Sequence, residues 1–257
     1  MPARTTNRKS ERRDGDMAIP SDLTALAKSR TIARFIRRGK RQVRGDVMAR
    51  IKIYGVPISR SISNIWAALE LGIDYENVPI GWHDDSIYSE AYRRINPNAR
   101  VPALADGDFI MWESLAINCY LVKKHGGPLA PRTLEEEARA LQWTLWAATQ
   151  LERPVMQWAF HAHILDRGER KPELAAKAYE ELEPLLGVLE SELAKAPFLA
   201  GERFALADLN VGCALLRPRQ HLDLAAYPKL QAWDKATFAR PAAQQAWAIR
   251  VEAARRA

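Results

Sequence analysis

Only two cysteines, Cys119 and Cys213, occur in 257 residues, and their separation matches no metal-ligand or thiol-redox spacing. So few thiols favour a reducing compartment, and a cytoplasmic chain is expected, although a disulfide between the two stays open. No apolar run approaches the ~20 residues that a membrane helix needs. No internal repeat is present, and beyond residue 132 there are no strand signals of note.

The rest is ordinary for a packed soluble protein, with 47% hydrophobic residues and eight Trp. The length suits one large domain or two modest ones. The formal charge of +7 belongs to one end: residues 1–47 hold thirteen Lys or Arg against five Asp or Glu, so the remainder comes to −1. The folded part is therefore not expected to bind nucleic acid or a membrane.

Residues 1–47 divide at Ile19-Pro20 into a polar half with little to bury and a segment, Ser21–Arg44, able to form a basic helix. A mitochondrial targeting segment would be poor in acids, and Asp14, Asp16 and Asp22 count against it. A nucleic-acid or membrane-binding arm and an upstream start codon are the other readings, since Met48 begins the domain cleanly.

Ile51–Tyr54 alternates as a strand does, and Gly55–Ser61 is a loop. Ile62, Ile65, Trp66 and Leu69 then recur at helical spacing, with Gly72 as the stop. Tyr75–Ile80 is predicted as a strand and Ser86–Ile95 as a short helix. Between Asn96 and Ser114 lie a turn at Asn96-Pro97, a strand entered through Pro102, an Asp106-Gly107 hairpin and a second strand. Glu113-Ser114 opens another helix, whose exposed N–H groups suit a carboxylate. That order requires a small sheet with helices on its faces. Pro128–Arg132 is a linker. Helices are predicted at Thr133–Leu165, kinked near Pro154, and at Pro172–Ala196, Ala205–Leu216, Pro228–Thr237 and Pro241–Ala254. The fold class is an α/β domain over 48–128 joined to an all-α bundle over 133–257.

Taken together, Ile53–Ser59, Asn96–Leu104 and Glu113–Ile117, in this order and followed by helices, make Met48–Pro131 resemble the thioredoxin-like domain of glutathione transferases. With the bundle, the resemblance covers about 80% of the chain. It implies a dimeric enzyme of the serine type, with glutathione as co-substrate and a small hydrophobic electrophile as partner. Isomerisation and peroxide reduction occur on the same fold, and a non-catalytic association module is the other alternative.

The resemblance carries a role onto Ser59, whose hydroxyl would hydrogen-bond the sulfur of glutathione. A free thiol near pKa ~8.5 is mostly protonated at neutral pH, and the thiolate is the nucleophile. Lowering that value by about 2 requires roughly 2.7 kcal/mol of preferential stabilisation. A hydroxyl bond to a charged acceptor contributes ~1.5–3 kcal/mol and a helix N-terminus ~0.3–1. Ser59 also reads simply as a helix cap, and Ser61 is a rival for the thiolate role. Arg60 is unusual, and either alters the charge around the sulfur or reaches an acidic second substrate.

The resemblance further implies a cis Val101-Pro102 bond, with the Val101 main chain pairing the cysteinyl part of glutathione. Glu113 would meet the γ-glutamyl ammonium and Ser114 its carboxylate, while Arg100 faces the glycyl carboxylate or is a solvated loop cation. Trp146, Met156, Trp158 and His161 are available to line the acceptor site or belong to the core. His161 and His163, two apart on a helix, point away from each other and are not expected to share a metal. Ala205 stands where the family's bundle motif has a capping hydroxyl, an omission costing ~0.5–2 kcal/mol of bundle stability. Asp208 remains to accept from first-turn amides.

Overall fold

In a computed structural model, residues 51–81 and 85–256 are described. The expectations for residues 1–47 lie outside them.

Four short strands form one mixed sheet in the order β2-β1-β3-β4. Strand β1 (Ile51–Tyr54) runs parallel to β2 (Tyr75–Val78) with Ile51 opposite Tyr75. It runs antiparallel to β3 (Ala103–Asp106), which pairs with β4 (Phe109–Trp112). Ile51 and Ile53 face the core while Lys52 is exposed, as the alternation requires. A parallel pair needs a crossover, which α1 (Ser61–Leu71) supplies. Gly72 ends α1 at φ 65°, its N–H returning to Ala68 and Leu69.

The predicted second strand stops two residues early, because its partner turns away. Gly55 and Val56 still bond Val78 and Ile80 through their N–H groups, outside a regular ladder. The predicted helix at 86–95 is a 3-10 turn (Ser86–Tyr88) followed by α2 (Glu90–Arg93), which Ser89 caps by accepting from Tyr92 N–H. Pairing of Asp106 with Phe109 leaves Gly107-Asp108 as the hairpin loop, one residue later than predicted. Gly107 takes the positive φ of 62° there.

Helix α3 (Ser114–His125) leads to the linker and then to helices only: α4 (Leu134–Trp146), α5 (Glu152–Ala159), α6 (Pro172–Leu193), α7 (Leu206–Leu215), α8 (Pro228–Phe238) and α9 (Pro241–Arg256). Between α4 and α5 the chain keeps winding through a π turn, Ala147–Leu151. This wider turn lies just before Pro154, which lacks an N–H, and it replaces the expected sharp kink. A second π turn, Phe160–Ile164, follows α5.

The two halves share one core. Trp66 of α1 is fully buried, with Phe204 and Phe238 of the helical half at ring-centroid distances of 6.3 and 5.4 Å. Below it, Arg240 grips Glu70 through two bonds of 2.8 and 2.7 Å, and Trp66 Nε1 donates to the same carboxylate. Val47–Ala257 accordingly forms a single compact unit.

The missing hydroxyl at Ala205 is offset from the other end of the motif. Asp208, fully buried, accepts from Ala205 N–H, Leu199 N–H and Trp233 Nε1 at 3.0, 2.9 and 2.8 Å. Burial pushes its carboxyl up to about 6, against the lowering effect of those three donors.

Candidate active site

The turn joining β1 to α1 gathers the polar groups of the site. Gly55 holds φ 133°, and a Cβ there would come within 2.9 Å of Ser61 and 3.1 Å of Val101. Only glycine lets these three segments approach so closely. Ser59, 9% exposed, donates from its hydroxyl to Val56 C=O at 2.6 Å and accepts from Ser61 N–H at 3.2 Å. Ser61 is fully enclosed and donates to the same carbonyl at 2.8 Å. The two hydroxyl oxygens are 3.0 Å apart. Of the pair, Ser59 is the one with access to solvent.

The Val101-Pro102 bond is cis, and the Val101 main chain makes no hydrogen bond among the described residues. A peptide lying along this edge would find both an N–H and a C=O available. Arg100 is exposed, while its carbonyl is held by Tyr92 Oη and Asn96 Nδ2 at 2.7 and 2.6 Å.

Glu113 precedes α3 with φ 76°, in the left-handed region that a glutamate adopts at a cost of order 1–3 kcal/mol. Its side chain is exposed and does not cap the helix, so the carboxylate is directed outward. Ser114 is 8% exposed at the first turn, beside the outward N–H groups of α3.

Arg60 differs from both expectations. Its guanidinium turns inward, donating from Nη2 to Ser114 Oγ at 3.0 Å and from Nη1 to Cys213 C=O at 3.0 Å. Its Nε lies 3.1 Å from Glu152. Paired in this way, Arg60 braces Ser114 instead of standing over Ser59.

Beneath Ser114 runs a chain of buried side chains. Asn64 donates to Ser114 C=O at 2.7 Å and to Asn118 Oδ1 at 2.8 Å. Asn118 donates to Asn210 at 2.9 Å, and Asn210 to Thr144 Oγ1 at 2.8 Å. Four helices from both halves are thereby tied to the floor of the site. Sequence reasoning passed over these residues. Asn64 and Asn118 stand among buried neighbours on their helices, and that placement was the available signal.

The aromatic residues of α4 and α5 fall mostly in the core. Trp146 meets Trp143 edge-on, with ring centroids 5.1 Å apart, and Trp158 lies 8% exposed against Tyr179 and His163. His163 in turn stacks on His221 at 4.3 Å. No group of three or more metal-ligating side chains occurs among the described residues. Two surface cavities, of about 310 and 470 Å³, lie on other faces and touch none of the site residues.

A family profile described as "Glutathione S-transferase, N-terminal domain" matches residues 49–123, and "Glutathione S-transferase, C-terminal domain" matches 151–241. Glutathione S-transferase 3 of Zea mays is 33% identical over 223 residues, spanning 77% of this chain and 93% of its own. The chain belongs to the glutathione S-transferase family. It is a transferase enzyme with a thioredoxin-like domain and a helical domain. Among solved structures, the theta class transferase of Xanthomonas axonopodis pv. citri with glutathione bound superposes with a TM-score of 0.72 at 30% identity. That match covers 76% of this chain and 96% of the other. Glutathione S-transferase I of maize, in complex with an atrazine glutathione conjugate, gives 0.71 at 31% identity, covering 79% and 99%.

Proposed function

We propose that this transferase activates the thiol of glutathione at Ser59 for attack on a hydrophobic electrophile. The observation that carries the reading is the shared carbonyl of Val56. Ser59 and Ser61 both donate to it, so Ser59 can turn its proton towards a thiolate while Ser61 keeps the carbonyl satisfied. Ser61 N–H continues to orient the Ser59 oxygen. A hydroxyl bond to the charged sulfur is worth ~1.5–3 kcal/mol, enough to make a thiolate common at neutral pH.

Glutathione is expected to lie with its γ-glutamyl end at Glu113 and Ser114, its cysteinyl part on the Val101 main chain beside Pro102, and its glycyl end towards Arg100. Its binding domain spans 48–128 and the helical domain 133–257. The protein acts in the cytoplasm as a homodimer. Supporting that association, Phe109, Ile110 and Trp112 are exposed on the edge strand β4, and Leu134, Leu141 and Leu145 form an exposed stripe on α4.

Calorimetric titration of glutathione, followed by thiolate ultraviolet absorbance against pH, tests the reading. The parent binds glutathione and lowers its thiol pKa, whereas Ser59→Ala binds it without lowering the pKa. A parent that leaves the bound thiol at its solution pKa overturns the assignment.

A further inference from the structure

Helix α9 packs along α1 and is tied to it at both ends. Arg240, immediately before α9, grips Glu70 near the end of α1. Ten positions on, about 15 Å along a helix, Arg250 reaches the opposite end of α1. There it donates from Nη1 to the carbonyl of Ile58 and, at 3.4 Å, to that of Pro57. The two helices therefore run antiparallel. Ala243, Ala246 and Arg250 recur at i, i+3 and i+7, and both alanines are buried. The guanidinium continues the face of α9 that is turned to the core.

The two carbonyls belong to the residues just before Ser59. Neither accepts from another group among the described residues, and Pro57 has no N–H with which to anchor the turn itself. On its other side the turn hangs from Val78 and Ile80, which accept from Gly55 and Val56 N–H at 2.9 and 3.0 Å. Burial first, and then the charge of Arg217, lower the pKa of Arg250 to about 10, so it remains a cation at neutral pH. A charged donor holds a carbonyl more strongly than a neutral one.

We propose that Arg250 is a positioning residue for thiol activation, holding the Pro57-Ile58 backbone from the helical half and so fixing the direction of the Ser59 hydroxyl. This role rests on the reading of Ser59 as the hydrogen-bond donor to the sulfur. For that hydroxyl to leave Val56 C=O for a thiolate, the backbone carrying it must stay where Ser61 N–H orients its oxygen. A misplacement of about 1 Å in a reacting group can cost on the order of a hundredfold in rate. The bonds of Arg250 reach none of Val101, Glu113 and Ser114. It acts on the charge of the sulfur and not on the hold on the peptide.

The test uses the full chain with two substitutions. Arg250→Met removes the donors and keeps an apolar stem, whereas Arg250→Lys keeps a charged donor. In Arg250→Met the thiol of bound glutathione, followed by thiolate ultraviolet absorbance, is expected to titrate about one pH unit higher than in the parent. Arg250→Lys restores most of that shift. Calorimetric affinity for glutathione at pH 5, where the thiol is protonated, is unchanged in both. Without glutathione, amide hydrogen exchange of residues 56–61 quickens about tenfold in Arg250→Met, while that of α6 does not change. Unchanged exchange at 56–61 overturns the brace, and a parent-like thiol pKa in Arg250→Met overturns its part in activation. Weaker binding at pH 5 overturns the positioning role by making Arg250 part of the hold on the peptide. An equal rise in thiol pKa when Arg250→Met is added to Ser59→Ala overturns it too, since the guanidinium would then act on the sulfur directly. Should Ser59→Ala alone keep the parent's thiol pKa, the Ser59 reading falls, and faster exchange in Arg250→Met still supports the brace on the turn.

Discussion

Arg60 Nη2 donates a hydrogen bond to Ser114 Oγ across 3.0 Å, joining the residue before α1 to the first residue of α3. The same guanidinium reaches Glu152 of α5 and the Cys213 carbonyl of α7. One side chain thus sets the position of the serine proposed for the γ-glutamyl end and couples it to the helical half. Arg60→Met is expected to weaken glutathione binding about tenfold or more, the worth of one charge-assisted bond. Isothermal titration measures it. In the double variant with Ser114→Ala the two losses should add to less than their sum, because both remove the same bond.

Ser59 and Ser61 separate by function. Ser59→Ala is expected to lower kcat by about 10- to 100-fold at neutral pH, with the rate recovering as pH rises towards the free thiol pKa. Ser61→Ala leaves Val56 C=O to Ser59 alone, so its loss should be smaller and its pH–rate profile shifted upward. Steady-state profiles of both variants against the parent decide this, and equal profiles for the two would reject the division of labour.

Stability at Asp208 depends on pH with a definite sign. Its folded pKa, about 6, lies above the ordinary 3.8, so the folded state holds the proton that the unfolded state gives up between them. The contribution is complete below about pH 4 and is lost as pH rises through about 6. It amounts to something on the order of 3 kcal/mol. Urea unfolding of the parent and Asp208→Asn across pH 4–7 should show the difference between them shrinking as pH rises. A constant difference contradicts it.

Breaking the buried amide chain should be costly without touching a substrate. Asn118→Leu leaves one N–H of Asn64 and the Oδ1 of Asn210 without the partners they hold at 2.8 and 2.9 Å. Each unsatisfied group costs about 1–3 kcal/mol, so a loss of ~2–4 kcal/mol is expected in chemical denaturation.

The apolar stripe on α4 is the place to test association. Leu141 and Leu145 are 58% and 54% exposed, one helical turn apart. Sedimentation velocity of Leu141→Glu with Leu145→Glu should show a monomer where the parent shows a dimer. A dimer that persists in the double variant moves the interface elsewhere.

Most of the fold was legible because it follows from local rules. Alternation placed Ile51–Tyr54, helical spacing placed Ile62–Leu69, Gly72 supplied the left-handed stop, and prolines opened α6, α8 and α9. The hairpin loop was missed by one residue, since register depends on which pairs face the core and not on the dipeptide alone. Pro154 suggested a kink, but a wider turn ahead of it absorbed the missing donor. Ser59, Val101, Pro102, Glu113 and Ser114 were nameable only through the order of three short segments.

From the sequence alone came the two-part architecture, the helix ends and the residues that can bear the chemistry, because these depend on neighbours a few positions away. Only the tertiary structure decided which serine reaches solvent, where Arg60 points and how four helices share a chain of amides. Arg60 and Cys213 are 153 positions apart and Asn118 and Asn210 are 92 apart. Contacts at such separations exist once the chain has closed on itself, and no periodicity along the sequence encodes them.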